Sequence, residues 1–171
     1  VLLKMVKTAT HITEVVEDDL LEKWIKTGRR HAEAFQKRAY ITQVLELSLD
    51  TWPSMPFEIP RPPLQQVDSI KYYDVDDVEY TLDLNTIIQV DTASDPGRIG
   101  LKNLQTLPTT TLRSMAAVKI RFTAGYGSAE TDIPEDVQDA IMLYVTWRNE
   151  NRAAEDSLPE HVKNLLRPNR V

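Results

Sequence analysis

Residues 118–148, VKIRFTAGYGSAETDIPEDVQDAIMLYVTWR, decide the fold, because a strand, a stop and a helix follow one another there with clear periods. Val118, Ile120 and Phe122 alternate with Lys119, Arg121 and Thr123, the period-two pattern of a strand with one buried and one wet face. Gly125 and Gly127 bracket Tyr126 and end the strand, since glycine takes backbone angles closed to other residues. Pro134 falls in the first turn of a helix, where its missing N–H costs nothing, and Glu135 and Asp136 favour the positive end of the helix dipole. Ile133, Val137, Ala140, Ile141, Tyr144 and Val145 recur at helical spacing as an apolar stripe, with Glu135, Gln138, Asp139, Met142 and Asn149 elsewhere. This helix is core on one side only.

Upstream, a second long helix is expected from about Asp19 to Arg38. Asp19 and Glu22 have the spacing of a capping box, and Leu21, Trp24, Ile25, Gly28, Ala32, Phe35 and Ala39 make its inner stripe. Gly28 costs about 1 kcal/mol against alanine in a helix, so its place on the stripe points to close approach of another helix. The opposite side carries Lys26, Arg29, Arg30 and Lys37, with Glu22–Lys26 and Glu33–Lys37 spaced for ion pairs. That side reads as a solvated face or as a contact for another subunit or nucleic acid. Residues 1–7 read as a helical fragment and 8–17 as a turn region.

Between the helices the period is extended. Leu45, Leu47 and Leu49 alternate with Glu46, Ser48 and Asp50, and Trp52-Pro53 closes that strand. Five prolines in 53–63 allow only a short edge strand at 57–59, and the PxxP-like run there reads as an extended crossing rather than a ligand. Residues 67–73 and 78–82 form a hairpin over 74–77, and 86–90 with 98–101 flank Asp95-Pro96-Gly97, whose order suits a type II turn. Together they predict an antiparallel meander. Residues 102–114 read as a long loop, and Pro159 starts a short amphipathic helix through Val162, Leu165 and Leu166 that Pro168 stops. The expected class is therefore α+β: one domain, 1–171, with helices in 1–40 and 133–171 and an antiparallel β lobe, 41–132, inserted between them.

Composition narrows the function. The 171 residues are 42% hydrophobic and 27% charged, a globular balance with no run of the roughly 18 apolar residues a membrane span needs. Without cysteine there is no disulfide, thiol catalysis or Cys-ligated zinc, which fits a reducing compartment. Val1 stands where an initiator Met would, so the start reads as trimmed. A net charge of −6 argues against gripping nucleic acid through the whole surface, although a local basic face is compatible. His11, His31 and His161 are isolated, and Asp74-Val75-Asp76-Asp77 lacks the glycine and glutamate of a calcium loop. Trp24, Trp52, Trp147, Tyr72, Tyr73 and Tyr80 read as packing residues rather than base-stacking ones, with Tyr126 on an exposed turn the least explained. No catalytic constellation, metal set or cofactor motif stands out, so the chain reads as a non-enzyme.

The order of motifs is more specific. ITQVLELSLDTWP, EIPRPPLQQVDSIKYYD, VDTASDPGRI, VKIRFTAGYG and DIPEDVQDAIMLYVTWRNENR, in that succession, resemble the head-to-tail connector (adaptor, head-completion) proteins of tailed bacteriophages and prophages, over about residues 18–171. The resemblance implies a structural virion protein without enzymatic activity or cofactor, made in the host cytoplasm and placed at the head-tail junction. It implies a dodecameric ring beneath the portal, possible as a monomer in solution, that joins head to tail and continues a channel for double-stranded DNA without reading its sequence. The partners implied are the portal, a tail-completion or stopper protein and further copies of the chain, with no membrane. Portal docking would fall to the C-terminal segment through Val162, Leu165, Leu166, Arg167 and Arg170, so that truncation after Ser157 would leave a folded subunit unable to bind portal; the alternative is that this short helix only caps the subunit's own bundle, as terminal helices commonly do. Lys26, Arg29, Arg30, Lys37 and Tyr126 would serve subunit or DNA-channel contacts. The alternative from the residues themselves is a small nucleic-acid-binding module using that basic helix face.

Overall fold

The computed structural model describes residues 2–10, 17–152 and 157–171. His11 and most of the turn expected at 8–17 lie outside them. The described chain is α+β and gathers into two compact units, residues 1–41 with 126–171, and residues 42–125.

The first unit is helical: α1 (Leu2–Thr10), α2 (Asp18–Gln36), α4 (Glu135–Glu150) and α5 (Glu160–Leu166), followed by a 3₁₀ turn at Arg167–Asn169. Its core joins Val6 of α1 and Leu21, Trp24, Ile25 and Ala32 of α2 to the α4 stripe, with Val137, Ala140, Ile141, Tyr144 and Val145 all buried. Gly28 meets the ring of Tyr144: a Cβ there would sit 2.6 Å from Tyr144 Cδ1. The expected close helix approach is therefore real, and it is α4 that approaches.

Four local expectations are corrected. No capping box opens α2, since the helix begins a residue early and Glu17, at the cap position, makes no side-chain cap bond. Its carboxylate accepts from Arg152 (3.1 Å), while Lys7 pairs with Asp18 at 2.6 Å. At the other end α2 stops at Gln36 rather than Arg38, because Lys37 turns left-handed with φ 58°. Glu22–Lys26 pair at 3.6 Å, but Glu33 Oε1 accepts the Tyr40 N–H instead of pairing with Lys37. Gln138, expected off the α4 stripe, is buried with its Nε2 donating to the Ile133 carbonyl at 2.7 Å.

The second unit holds β1 (Gln43–Leu49), β2 (Phe57–Glu58), β3 (Leu64–Tyr73), β4 (Glu79–Thr81), a short α3 (Leu84–Ile87), β5 (Ile88–Asp91), β6 (Arg98–Leu101) and β7 (Val118–Ala124). Instead of one meander, the strands divide into a four-stranded sheet ordered β1-β7-β3-β4 and a three-stranded sheet ordered β2-β6-β5. All the pairings are antiparallel. Sequence neighbours pair in the β3–β4 and β5–β6 hairpins, but β7 arrives last and lies between β1 and β3. Its alternation explains why: Val118, Ile120 and Phe122 are buried, opposite Leu49, Leu47 and Leu45 on one side and Tyr72, Ile70 and Val67 on the other. Residues 86–87, expected in a strand, close α3, whose N-cap Asp83 accepts the N–H groups of Asn85 and Thr86. Gly97 lacks the positive φ that a type II turn would require; its small size is what matters, because a Cβ would lie 2.5 Å from Leu64 Cβ.

Candidate functional site

The C-terminal segment is built into the helical unit. Val162 and Leu166 are each 1% exposed and Leu158 is buried beside them, so one side of α5 belongs to the core. The buried Gln36 donates from Nε2 to the Leu166 carbonyl (2.7 Å), accepts the Tyr40 hydroxyl on Oε1 (2.6 Å), and its own carbonyl accepts the Val171 N–H at 3.1 Å. Arg38 Nε donates to the Asn169 carbonyl at 2.6 Å. Burial pushes the Tyr40 hydroxyl well above its ordinary range, which keeps it protonated as the donor in this network.

Of the five residues expected to dock portal, Leu165 is the apolar one that faces outward, at 44% exposed. Arg167 pairs with Glu160, and the Arg170 guanidinium lies 4.9 Å from the Phe35 ring centre. Val162 and Leu166 are spent on the core. Gln36 and Arg38 were missed from sequence although Gln36 is four residues past Ala32 on the inner stripe. Its position was the signal and its polarity hid it.

The α2 residues diverge. Lys26 and Arg30 are exposed, Lys37 is exposed beyond the helix end, and Arg29 is half-buried. Arg29 and Lys26 line a cavity of about 370 Å³ whose walls include Leu3, Ile25, Ile133 and Ile141. Arg29 Nε is buried with no hydrogen-bond partner among the described residues. A shallower groove of about 450 Å³ runs along the exposed face past Asp19, Glu22, Lys23, Lys26, Thr27 and Arg30. Tyr126 does not stand on an exposed turn. It is half-buried against the helical core, its N–H donates to the Tyr40 carbonyl (2.9 Å), and the two rings lie 6.4 Å apart.

In the β unit the tyrosines stack on one another: Tyr72 and Tyr80, cross-strand partners, are 5.2 Å apart and nearly parallel, with Trp52 5.3 Å from Tyr72. The perturbed carboxylates brace turns. The Ser94 hydroxyl, then Arg98, hold Asp91 down to about 2. The Val78 N–H and the Tyr80 hydroxyl lower Asp74, and Lys71 with Tyr73 lower Glu79. Each of these shifts is accounted for by bonds within its own turn or strand pair. Among the described residues no cluster of three or more His, Asp or Glu could hold a metal, and no helix is long and apolar enough to cross a membrane.

No family model matches the sequence, and no curated protein matches it. Solved structures do. A chain from the neck of the empty gene transfer agent (GTA) particle, determined with C6 symmetry, has a TM-score of 0.79 at 21% identity, covering 99% of this chain and 88% of that chain. A chain of the virion of the native GTA particle gives 0.74 at 22%, covering 91% and 78%. One from the neck of the native particle, determined with C12 symmetry, gives 0.72 at 22%, covering 89% and 82%. The chain has the fold of chains that stand in the neck of gene transfer agent particles.

Proposed function

We propose that the chain is a structural, non-enzymatic subunit of the head-tail junction of a phage-like virion, in the manner of the head-to-tail connectors its motifs resemble. The observation that carries this is the fold match to a neck chain over 99% of the residues, which agrees with a resemblance drawn independently from motif order. Copies assemble in the host cytoplasm into a ring beneath the portal, joined on the other side to a tail-completion or stopper protein. The symmetry of the neck structures supports a ring, and twelve copies follows the C12 case. A heterologous contact that closes by rotation generates such a ring. The acidic balance suits a passage through which DNA slides rather than sticks.

Portal docking falls to the outer side of the C-terminal segment, with Leu165, Arg167 and Arg170 as contacts and Val162 and Leu166 anchoring the segment from within. Lys26, Arg29, Arg30, Lys37 and Tyr126 serve the subunit and channel faces, by contact or by support. Substituting Leu165→Asp with Arg170→Glu, positions at the surface, should abolish capture on portal rings in a pull-down while leaving the circular dichroism melt near wild type. Retained capture would remove this segment as the dock.

One observation favours a second reading. Between Glu22 and Glu33, α2 carries Lys23, Lys26, Arg29 and Arg30 and no carboxylate, a local basic face fit for phosphates. Tight duplex binding that weakens steeply with salt would favour that module over the connector.

A further inference from the structure

The end of the β unit where β3 turns into β4 has an unusual surface. Val75 is 61% exposed, Val78 48% and nearby Met115 74%, and a shallow groove of about 620 Å³ runs past Val75, Leu112, Arg113 and Met115. Exposed β-branched residues grouped at one tip signal a contact surface rather than scattered surface apolars. The tip is rigid. Asp74 Oδ1 accepts the N–H groups of Asp76 (2.9 Å) and Val78 (3.0 Å), its Oδ2 accepts the Tyr80 hydroxyl (3.0 Å), and Arg113 ties Asp77 at 3.1 Å. A surface held this way loses little freedom on binding. Three of its four carboxylates are committed internally, which leaves Asp76 pointing no charge at any cation among the described residues.

Charge says what fits there. From Tyr72 to Gly97 the chain carries seven carboxylates and no Lys or Arg, whereas from Lys23 to Arg30 α2 carries four cations and no carboxylate. Lys23 and Arg30 make no ion pair among the described residues, and both line the groove on α2 with Lys26 and Thr27, beyond Asp19 and Glu22 at its other end, where Glu22 takes Lys26 at 3.6 Å. Long Lys and Arg stems lay methylenes over apolar surface while their heads reach charge. Such a groove can cover Val75 and Val78 and meet Asp76 in one contact.

We propose that in the ring the β3–β4 tip of one copy docks on the Lys23–Lys26–Arg30 face of α2 in the next copy. The inference rests on the ring reading above and names its subunit contact. It is heterologous, using two different surfaces of each copy, as a closing ring requires. Complementary charge sets its register and association rate.

The test is charge reversal with rescue, read by mass photometry and sedimentation on concentrated full-length protein, with circular dichroism confirming the fold of each variant. Asp76→Arg alone and Lys23→Glu with Arg30→Glu should each raise the concentration needed for assembly by about tenfold or more. The triple variant, with the charges exchanged, should restore it. Both reversed variants assembling as readily as wild type, or a triple variant no better than its parents, overturn the contact while leaving the ring standing. Wild type that never assembles, alone or on portal rings, overturns the ring and this contact with it.

Discussion

Gly28 sets how closely α2 and α4 approach. Alanine is the better helix former by about 1 kcal/mol, yet its methyl would lie 2.6 Å from the ring of Tyr144, which is itself fully buried. Overpacking of this kind costs about 1–3 kcal/mol. Gly28→Ala should therefore lower the melting temperature, and a raised one would mean the helices can part. Along α4, Ile141 is 1% exposed while Met142 only borders the core, so Ile141→Ala should cost about 2–5 kcal/mol and Met142→Ala clearly less. Equal losses in denaturant melts would mean that the stripe is wrongly phased. Asp91 carries a pH signature. Its carboxyl is depressed to about 2 in the fold, so its stabilising bonds to Ser94 and Arg98 are complete above the ordinary carboxylate pKa and are lost as pH falls through about 2. An NMR titration of Asp91 should show this midpoint, and Asp91→Asn should erase the corresponding acid loss. A midpoint near the ordinary value would mean the turn is open in solution.

At the scale of elements, what was legible in the sequence follows from period and punctuation. β7 and α4 were legible because strict alternation and a helical stripe sit on either side of a glycine turn, and those two signals survive any tertiary context. The partition into two sheets was not legible: β7 is distant in sequence from both its neighbours, and only packing of its buried face chooses β1 and β3 over the local hairpins. At the caps, Asp19 and Glu22 offered the right spacing, but Lys7 and Arg152 draw Asp18 and Glu17 into ion pairs and the helix starts earlier. The C-terminal segment shows the limit for function. Its apolar residues are visible in sequence, but which face the core is decided by Gln36 and Arg38, two polar side chains that no hydrophobic pattern marks. Because those bonds and Leu158, Val162 and Leu166 tie the segment to the helices, truncation after Ser157 should lower the melting temperature sharply instead of leaving a stable subunit. A truncated chain that melts like wild type would show that these contacts contribute nothing.

For the whole molecule, the proposed ring would draw on both units: one carries an acidic, braced hairpin, the other a cationic helix face and a C-terminal edge with Leu165 outward. Contacts between copies that are weak one at a time become strong when a template holds the copies together, so dilute protein should be monomeric and assembly should rise with concentration or on portal. The central claim is that this chain closes into a ring at the portal, and the direct measurement is electron microscopy of the concentrated protein alone and mixed with portal rings. The account predicts closed rings with the twelvefold symmetry of the native GTA neck, stacked coaxially on portal. An isolated two-fold dimer under every condition, with bare portal rings beside it, would contradict it.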